Sequence, residues 1–465
     1  MLARRGASIV RRKSIESKTK PIALHHDMKF RSLRLVALAP FCAAFLTAQT
    51  VDDTELKQVI IFGRHSVRAP VATNDQLKPF AVQDFPQFGV AAGILTPNGE
   101  ALETMLGGYY RLWLTNEGLL TGNDTADAKF VYFHANAIQR TVDTAQHLWK
   151  GLLPAAPVNV QYLTPSTASD PLFDAVGAGV AQVDPPTAMA SAMGRLGGDP
   201  QALVSAYAAE FALTRSVLFG YPLSQTPPPA TPAGKIDVTD FTANPIAVTP
   251  GSNGSLINLG GLSTTGIAID PFVMEEADGL QVGWGQLTPD GVNQIERLYN
   301  LVMDLEFRTP YLARVQSSNV ASHIVRSMVQ SATGNAMTGT LGTPSTKIVV
   351  LIASDVNVCG FAGLFHIDWL VPGFQPDFCG PGGAMVFQLR QSQSTGEYIV
   401  RGSYVAQTMD QLSNLTPLTL DAPPASSPFF IPGCSIGNAT FDCPLGRFVG
   451  IANQLIDPNS ADLMN

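Results

Sequence analysis

The chain has 465 residues, 45% of them hydrophobic, enough for one large domain and a smaller one, and its 41 glycines and 34 prolines favour many loops over long bundles. Ten of its 29 basic residues but only two of its 37 acidic ones fall within the first 48, so the remainder carries 19 basic against 35 acidic residues, a formal net of −16. Such a surface disfavours nucleic-acid binding, and an anionic ligand must be drawn in by a local basic pocket.

Residues 1–48 read as a leader. Lys29, Arg31 and Arg34 precede the apolar run Leu35–Leu46, and small residues follow near Ala48, the layout of a secretory signal. The run is too short for a good membrane span. A secreted or periplasmic protein with no membrane attachment after cleavage is expected. Met28 is an alternative start. Beyond Cys42 in this leader, four cysteines remain, an even number in an exported chain, and they allow three disulfide pairings. Cys434 and Cys443, close in sequence across a stretch that opens with Ser435-Ile436-Gly437-Asn438, are the favoured pair, which leaves Cys359 with Cys379. The cysteine spacing does not suit zinc, and no metal or organic cofactor is expected.

The first predicted strand is the apolar run Gln58–Phe62, which stops at Gly63 and delivers Arg64, His65 and Arg68 before Pro70 blocks a helix. Groups at the carboxyl end of such a strand face the ligand crevice of an open α/β sheet. Guanidinium forks suit phosphate oxygens, and a neutral imidazole is a competent nucleophile. Thr96-Pro97 then opens a helix whose apolar positions run from Leu102 to Trp113. A second strand, Lys129–Phe133, leads through His134 to Arg140 at another strand-to-helix crossing, and the following helix closes at Gly151.

From about 155 to 295 the composition shifts. A helix is expected over 200–219, followed by a proline-rich run at 226–234 and a Gly/Ser/Asn-rich patch at 250–266, which read as an inserted cap with long surface loops. Helices return near 290–306 and 318–332, the latter carrying His323. A third buried strand, Lys347–Ala353, ends in Ser354-Asp355, a carboxylate placed where a general acid belongs. A fourth strand follows Gly382-Gly383.

Arg64-His65-x-x-Arg68-x-Pro70 resembles the opening motif of the histidine acid phosphatases, branch 2 of the histidine phosphatase superfamily. Leu95-Thr96-Pro97-x-Gly99 resembles the family's second landmark, and the run from Tyr132 to Pro154 looks most like the periplasmic glucose-1-phosphatases, with a phytase-like branch nearby. The resemblance covers nearly all of residues 56–457 apart from the loops of the cap. Two departures stand out. Ser66 occupies a position usually held by glycine, and Ser354 stands where the family has the histidine of its His-Asp motif.

The expected fold is therefore α/β, a mixed, largely parallel sheet flanked by helices, with a core of residues 49–154 and 296–465 and a mostly helical cap at 155–295. The resemblance implies that His65 attacks phosphorus, that Asp355 serves as proton donor, and that Arg64, Arg68, Arg140 and Ser354 bind the phosphate. His134 is a candidate to fill the space left by Ser354. Asp278, in Met274–Gly279, is a candidate for the substrate pocket. The expected partner is a small phosphomonoester, a sugar phosphate such as glucose 1-phosphate or an inositol phosphate; no signal bears on oligomeric state. Two alternatives remain: a noncatalytic phosphate-ligand binding protein of the same fold, suggested by Ser354, and phosphoryl transfer between metabolites, which an exported location disfavours.

Overall fold

The computed structural model describes residues 52–251 and 255–462, so the leader and signal-peptide reading of residues 1–48 lies outside the described residues. Strand β1 is longer than the apolar run alone suggests and spans Thr54–Arg64. Helix Pro97–Asn116 is capped by the Thr96 side chain, which accepts from the Gly99 N–H, and Pro97 sits at its first position, as the sequence predicts. Strand β2 (Val131–Ala135) feeds helix Gln139–Leu152. The two helices pack closely because Gly107 and Gly151 lie at their crossing. A Cβ on Gly107 would come within 2.2 Å of the Leu148 carbonyl, and one on Gly151 within 2.1 Å of the Thr104 carbonyl.

Residues 155–295 hold helices Pro185–Arg195, Ala208–Phe219 and Gly261–Ala277 and a two-stranded hairpin, β3 (Ile246–Pro250) with β4 (Ile257–Gly260). The helix expected over 200–219 is divided, because Tyr207 leaves helical geometry at φ −113° between Ala202–Ala206 and Ala208–Phe219. The patch read as loop at 250–266 contains β4 and the start of helix Gly261–Ala277. Gly260, at φ 62°, makes the junction; a Cβ there would meet the Pro245 carbonyl at 2.5 Å. That helix hides from a periodicity reading because it is apolar almost all round and carries Pro271 inside.

Helices Pro289–Glu306 and Pro310–Thr333 lead to β5 (Ile348–Ala353), which runs directly into helix Asp355–Phe365. Strands β6 (Ala384–Ser392), β7 (Tyr398–Ala406), β8 (Ala425–Pro428) and β9 (Cys443–Pro444) complete the sheet. Its order is β2-β5-β1-β6-β7-β8, with β9 also on β7. The sheet is mixed: β5 is parallel to both β1 and β2, while β6 and the strands beyond it are antiparallel. Both faces of its centre are covered. On β5, Val349, Leu351 and Ala353 enter one hydrophobic cluster and Ile348, Val350 and Ile352 the other. A strand buried on both faces reads as an unbroken apolar run, which is why this stretch is legible in sequence. Each valine, leucine or isoleucine among them contributes about 1.5–3 kcal/mol by burial. Among the described residues no helix is long and apolar enough to cross a membrane.

Cys434 and Cys443 form a disulfide, nine residues apart, but Cys359 and Cys379 are free and buried, which corrects the second expected pairing. Cys359 belongs to the packed interior of helix Asp355–Phe365, and Cys379 is buried in the same core beside Tyr404. Both thiols therefore behave as small apolar core groups, whose pKa values burial pushes up, Cys379 to about 12. Replacing Cys434 and Cys443 together by serine is expected to remove roughly 2–3 kcal/mol of stability, as a short closed loop allows. Denaturant unfolding of the oxidised protein and the double variant measures this difference; an unchanged midpoint would show that the bond contributes nothing.

Candidate active site

The three parallel strands end side by side, and each delivers a different group. Arg64 lies opposite Ala353 in the β1–β5 register, and the His65 N–H donates to the Ala353 carbonyl at 2.9 Å. Ser354 and Asp355 thus emerge beside Arg64 and His65. From β2, the Asn136 N–H bonds to the Ile352 carbonyl at 2.9 Å, and the next turn opens the helix that carries Arg140. A cleft of about 410 Å³ results, lined by His65, Arg68, Arg140, Ser354 and Asp355.

His65 is buried, and its Nδ1 lies 2.8 Å from the Ser66 carbonyl. A carbonyl can only accept, so Nδ1 carries the proton and Nε2 keeps its lone pair. Burial drives the imidazole pKa well below its ordinary 6.5, with further depression from Arg140, Arg64 and Arg68 in that order. Ser66, where the resembling family has glycine, does not intrude on this arrangement. Its side chain is buried against Glu103, while its backbone supplies the carbonyl that fixes the tautomer. Burial raises the Glu103 carboxyl to about 8, partly offset by the Ser66 hydroxyl.

The arginines differ in their partners. Arg64 is fully buried, donates to the Cys379 carbonyl and lies 3.0 Å from an Asp355 oxygen. Arg68 forms a two-pronged pair with Asp270 at 2.9 and 2.8 Å. Arg140 has no carboxylate partner among the described residues; its contact is the Gly93 carbonyl at 3.4 Å. Burial, then the neighbouring Arg68, pushes its pKa down to about 10, with Asp355 acting in the opposite sense. A buried cation destabilised by other cations is stabilised by an incoming anion.

Asp355 accepts the Tyr299 hydroxyl at 2.9 Å and its neighbour Val356 N–H at 2.9 Å. Burial raises its pKa, but Arg64 and then Arg68, helped by those hydrogen bonds, outweigh burial and hold the carboxyl below its ordinary value. Ser354 lies at the amino end of helix Asp355–Phe365 with its N–H bonded to the Asn357 side chain at 3.1 Å. The dipole of such an end favours a negative ligand.

Two expected residues lie elsewhere. Asp278 caps helix Gly261–Ala277, accepts the Thr96 hydroxyl at 2.7 Å and receives Asn98 on its backbone carbonyl, so it pins that helix to helix Pro97–Asn116 and does not line this cleft. His134 turns toward Asp170 at 2.7 Å and Tyr132 at 3.2 Å and does not fill the space beside Ser354. His323 stays within the core, where its Nδ1–H donates to the Gly339 carbonyl at 2.8 Å.

Asp270, Tyr299 and Glu306 were not foreseen. For Asp270 a signal existed: a single acid between Ile269 and Phe272, inside the apolar stretch 267–274, demands a buried partner. Its partner lies 202 residues away, so no local pattern names Arg68.

A family model described as the histidine phosphatase superfamily, branch 2, matches residues 55–210. The chain is 28% identical over 426 residues to phytase AppA of Escherichia coli K12, covering 90% of this chain and 96% of that protein. It is 27% identical over 428 residues to a glucose-1-phosphatase of Salmonella typhimurium, with 90% and 97% covered. A Hafnia alvei phytase, solved in complex with myo-inositol hexakis sulphate, superposes with a TM-score of 0.78 at 30% identity, over 88% of this chain and 99% of that one.

Proposed function

The chain belongs to branch 2 of the histidine phosphatase superfamily, and from that premise we propose that it hydrolyses phosphomonoesters by way of a phosphohistidine at His65. The observation that carries this reading is the imidazole held as its Nδ1–H tautomer among three arginines at the ends of parallel strands. In the first step His65 Nε2 attacks phosphorus and the bond to the leaving oxygen breaks. Arg64, Arg68 and Arg140 offset the charge of the equatorial oxygens, with the Ser354 hydroxyl and helix end beside them. Asp355, protonated, gives its proton to the departing alkoxide. In the second step Asp355 removes a proton from water, which attacks the phosphohistidine and frees phosphate and imidazole.

In this reading residues 155–295 act as the cap over a core of 49–154 and 296–465, and the protein works outside the cytoplasm, a location supported by the leader's basic and apolar pattern. The substrate class is small esters such as sugar phosphates, with inositol phosphates the other candidates. This rests on the named activities of the relatives and on the few cations around the cleft.

Ser354 favours one competing reading, a binding protein that holds phosphate without turning it over. A hydrogen bond to a charged group is worth roughly 1.5–3 kcal/mol. At about 1.4 kcal/mol per factor of ten, serine in place of histidine removes roughly ten- to a hundred-fold of rate, far less than a phosphatase supplies. Purified protein is therefore expected to hydrolyse p-nitrophenyl phosphate slowly, and Ser354→His to raise kcat/KM by roughly that factor. Phosphate binding with no turnover in either protein would establish the binding reading.

A further inference from the structure

Glu306 is the acid of the cleft for which phosphoryl transfer has no use. It ends helix Pro289–Glu306, is 6% exposed, and lines the same cavity as His65, Arg140 and Asp355. Its Oε1 accepts the Ser263 hydroxyl at 2.9 Å from helix Gly261–Ala277, and Ser255 lines the cavity with it. Burial pushes the Glu306 carboxyl up to about 7, so above that pH it is ionised and offers about four acceptor sites, of which Ser263 occupies one. Val302, Met303 and Phe307 form an apolar wall on the same side, with Ile267 exposed at the rim.

The charges of the cleft point the same way. Arg64 faces Asp355, Arg68 is held by Asp270, and Arg140 alone lacks a carboxylate among the described residues. Among the described residues no lysine lines the cleft. These cations suffice for one phosphoryl group at His65. A second phosphate on the same ligand meets Glu306 and the apolar wall, where an unmatched charge is costly to desolvate. A hydroxyl in that place donates to the carboxyl at no such cost.

Resting on the phosphatase reading, we infer that Glu306, braced by Ser263, is a specificity residue that accepts a hydroxyl of a polyol bearing a single phosphate and rejects esters carrying further phosphates. The test compares kcat/KM for glucose 1-phosphate, myo-inositol hexakisphosphate and p-nitrophenyl phosphate, the last having no hydroxyl to read. The wild-type protein is expected to prefer glucose 1-phosphate to the hexakisphosphate by roughly tenfold or more. Glu306→Leu is expected to lose at least about tenfold more on glucose 1-phosphate than on p-nitrophenyl phosphate, through KM. Glu306→Gln, which keeps an acceptor of the same shape, recovers part of that loss and carries the test should Glu306→Leu fail to fold. A wild-type preference for the hexakisphosphate, or equal losses on glucose 1-phosphate and p-nitrophenyl phosphate in either variant, overturns the role of Glu306 while leaving the phosphatase reading intact. Wild-type protein that hydrolyses none of the three overturns both.

Discussion

His65→Ala is expected to reduce kcat for p-nitrophenyl phosphate below detection, a loss on the order of 10⁵–10⁶, because the group that forms the covalent intermediate is gone. No neighbour can replace it. The arginines are cations, the Ser66 side chain is buried against Glu103, and Asp355 is tied to Arg64 and Tyr299. Acid-stopped wild-type reactions with labelled substrate should retain label on His65, and the variant should retain none. Residual activity within about tenfold of wild type would place the nucleophile elsewhere.

The pH profile supplies an independent readout. A protonated imidazole cannot attack phosphorus, and an ordinary histidine would lose about fivefold of its neutral form between pH 6.5 and 5.5. Burial and the arginines hold His65 well below that range, so its neutral form persists as pH falls. The kcat/KM profile should accordingly show no histidine inflection near 6.5. An acid limb at that pH in the wild-type protein would contradict the electrostatic picture.

The second large effect is expected at Asp355. In the site without a ligand the carboxyl is held ionised by Arg64 and Arg68 against the opposing effect of burial. A bound phosphoryl group takes over those guanidiniums and sets a like charge beside the carboxylate, and both changes raise its pKa toward the protonated form that donation requires. Asp355→Asn keeps an acceptor for the Tyr299 hydroxyl but has no proton to give. It should lower kcat by about 10²–10⁴ on an alkyl ester such as glucose 1-phosphate. The loss should be much smaller on p-nitrophenyl phosphate, whose leaving group departs as a stable anion. The ratio of the two losses is the diagnostic. Equal losses would mean that Asp355 acts only by positioning Arg64.

Much of the site was legible because its chemistry sits at strand ends. The runs Val59–Phe62 and Ile348–Ala353 are apolar throughout, and each is followed at once by its polar groups, so strand, crossing and candidate residue appear in one short stretch. Helix Pro97–Asn116 announces itself through Thr96-Pro97, since capping is a local interaction. By contrast, helix Gly261–Ala277 carries no such marks: it starts at glycine, lacks a side-chain cap, contains proline and has no polar face.

What the sequence by itself determined is the core strands, the groups Arg64, His65, Arg140 and Asp355 that follow them, and the family. These depend on runs of a few residues whose conformation is governed by their neighbours in the chain. Only the tertiary structure decided which charges meet. Arg68 finds Asp270, Asp355 finds Arg64 and Tyr299, Glu306 finds Ser263, and Cys359 stays apart from Cys379. Each pairing joins groups from different elements, and a buried charge takes whichever partner the packing brings within reach. Sequence separation carries no information about that distance. Local pattern therefore names the chemical groups, and packing assigns them their partners.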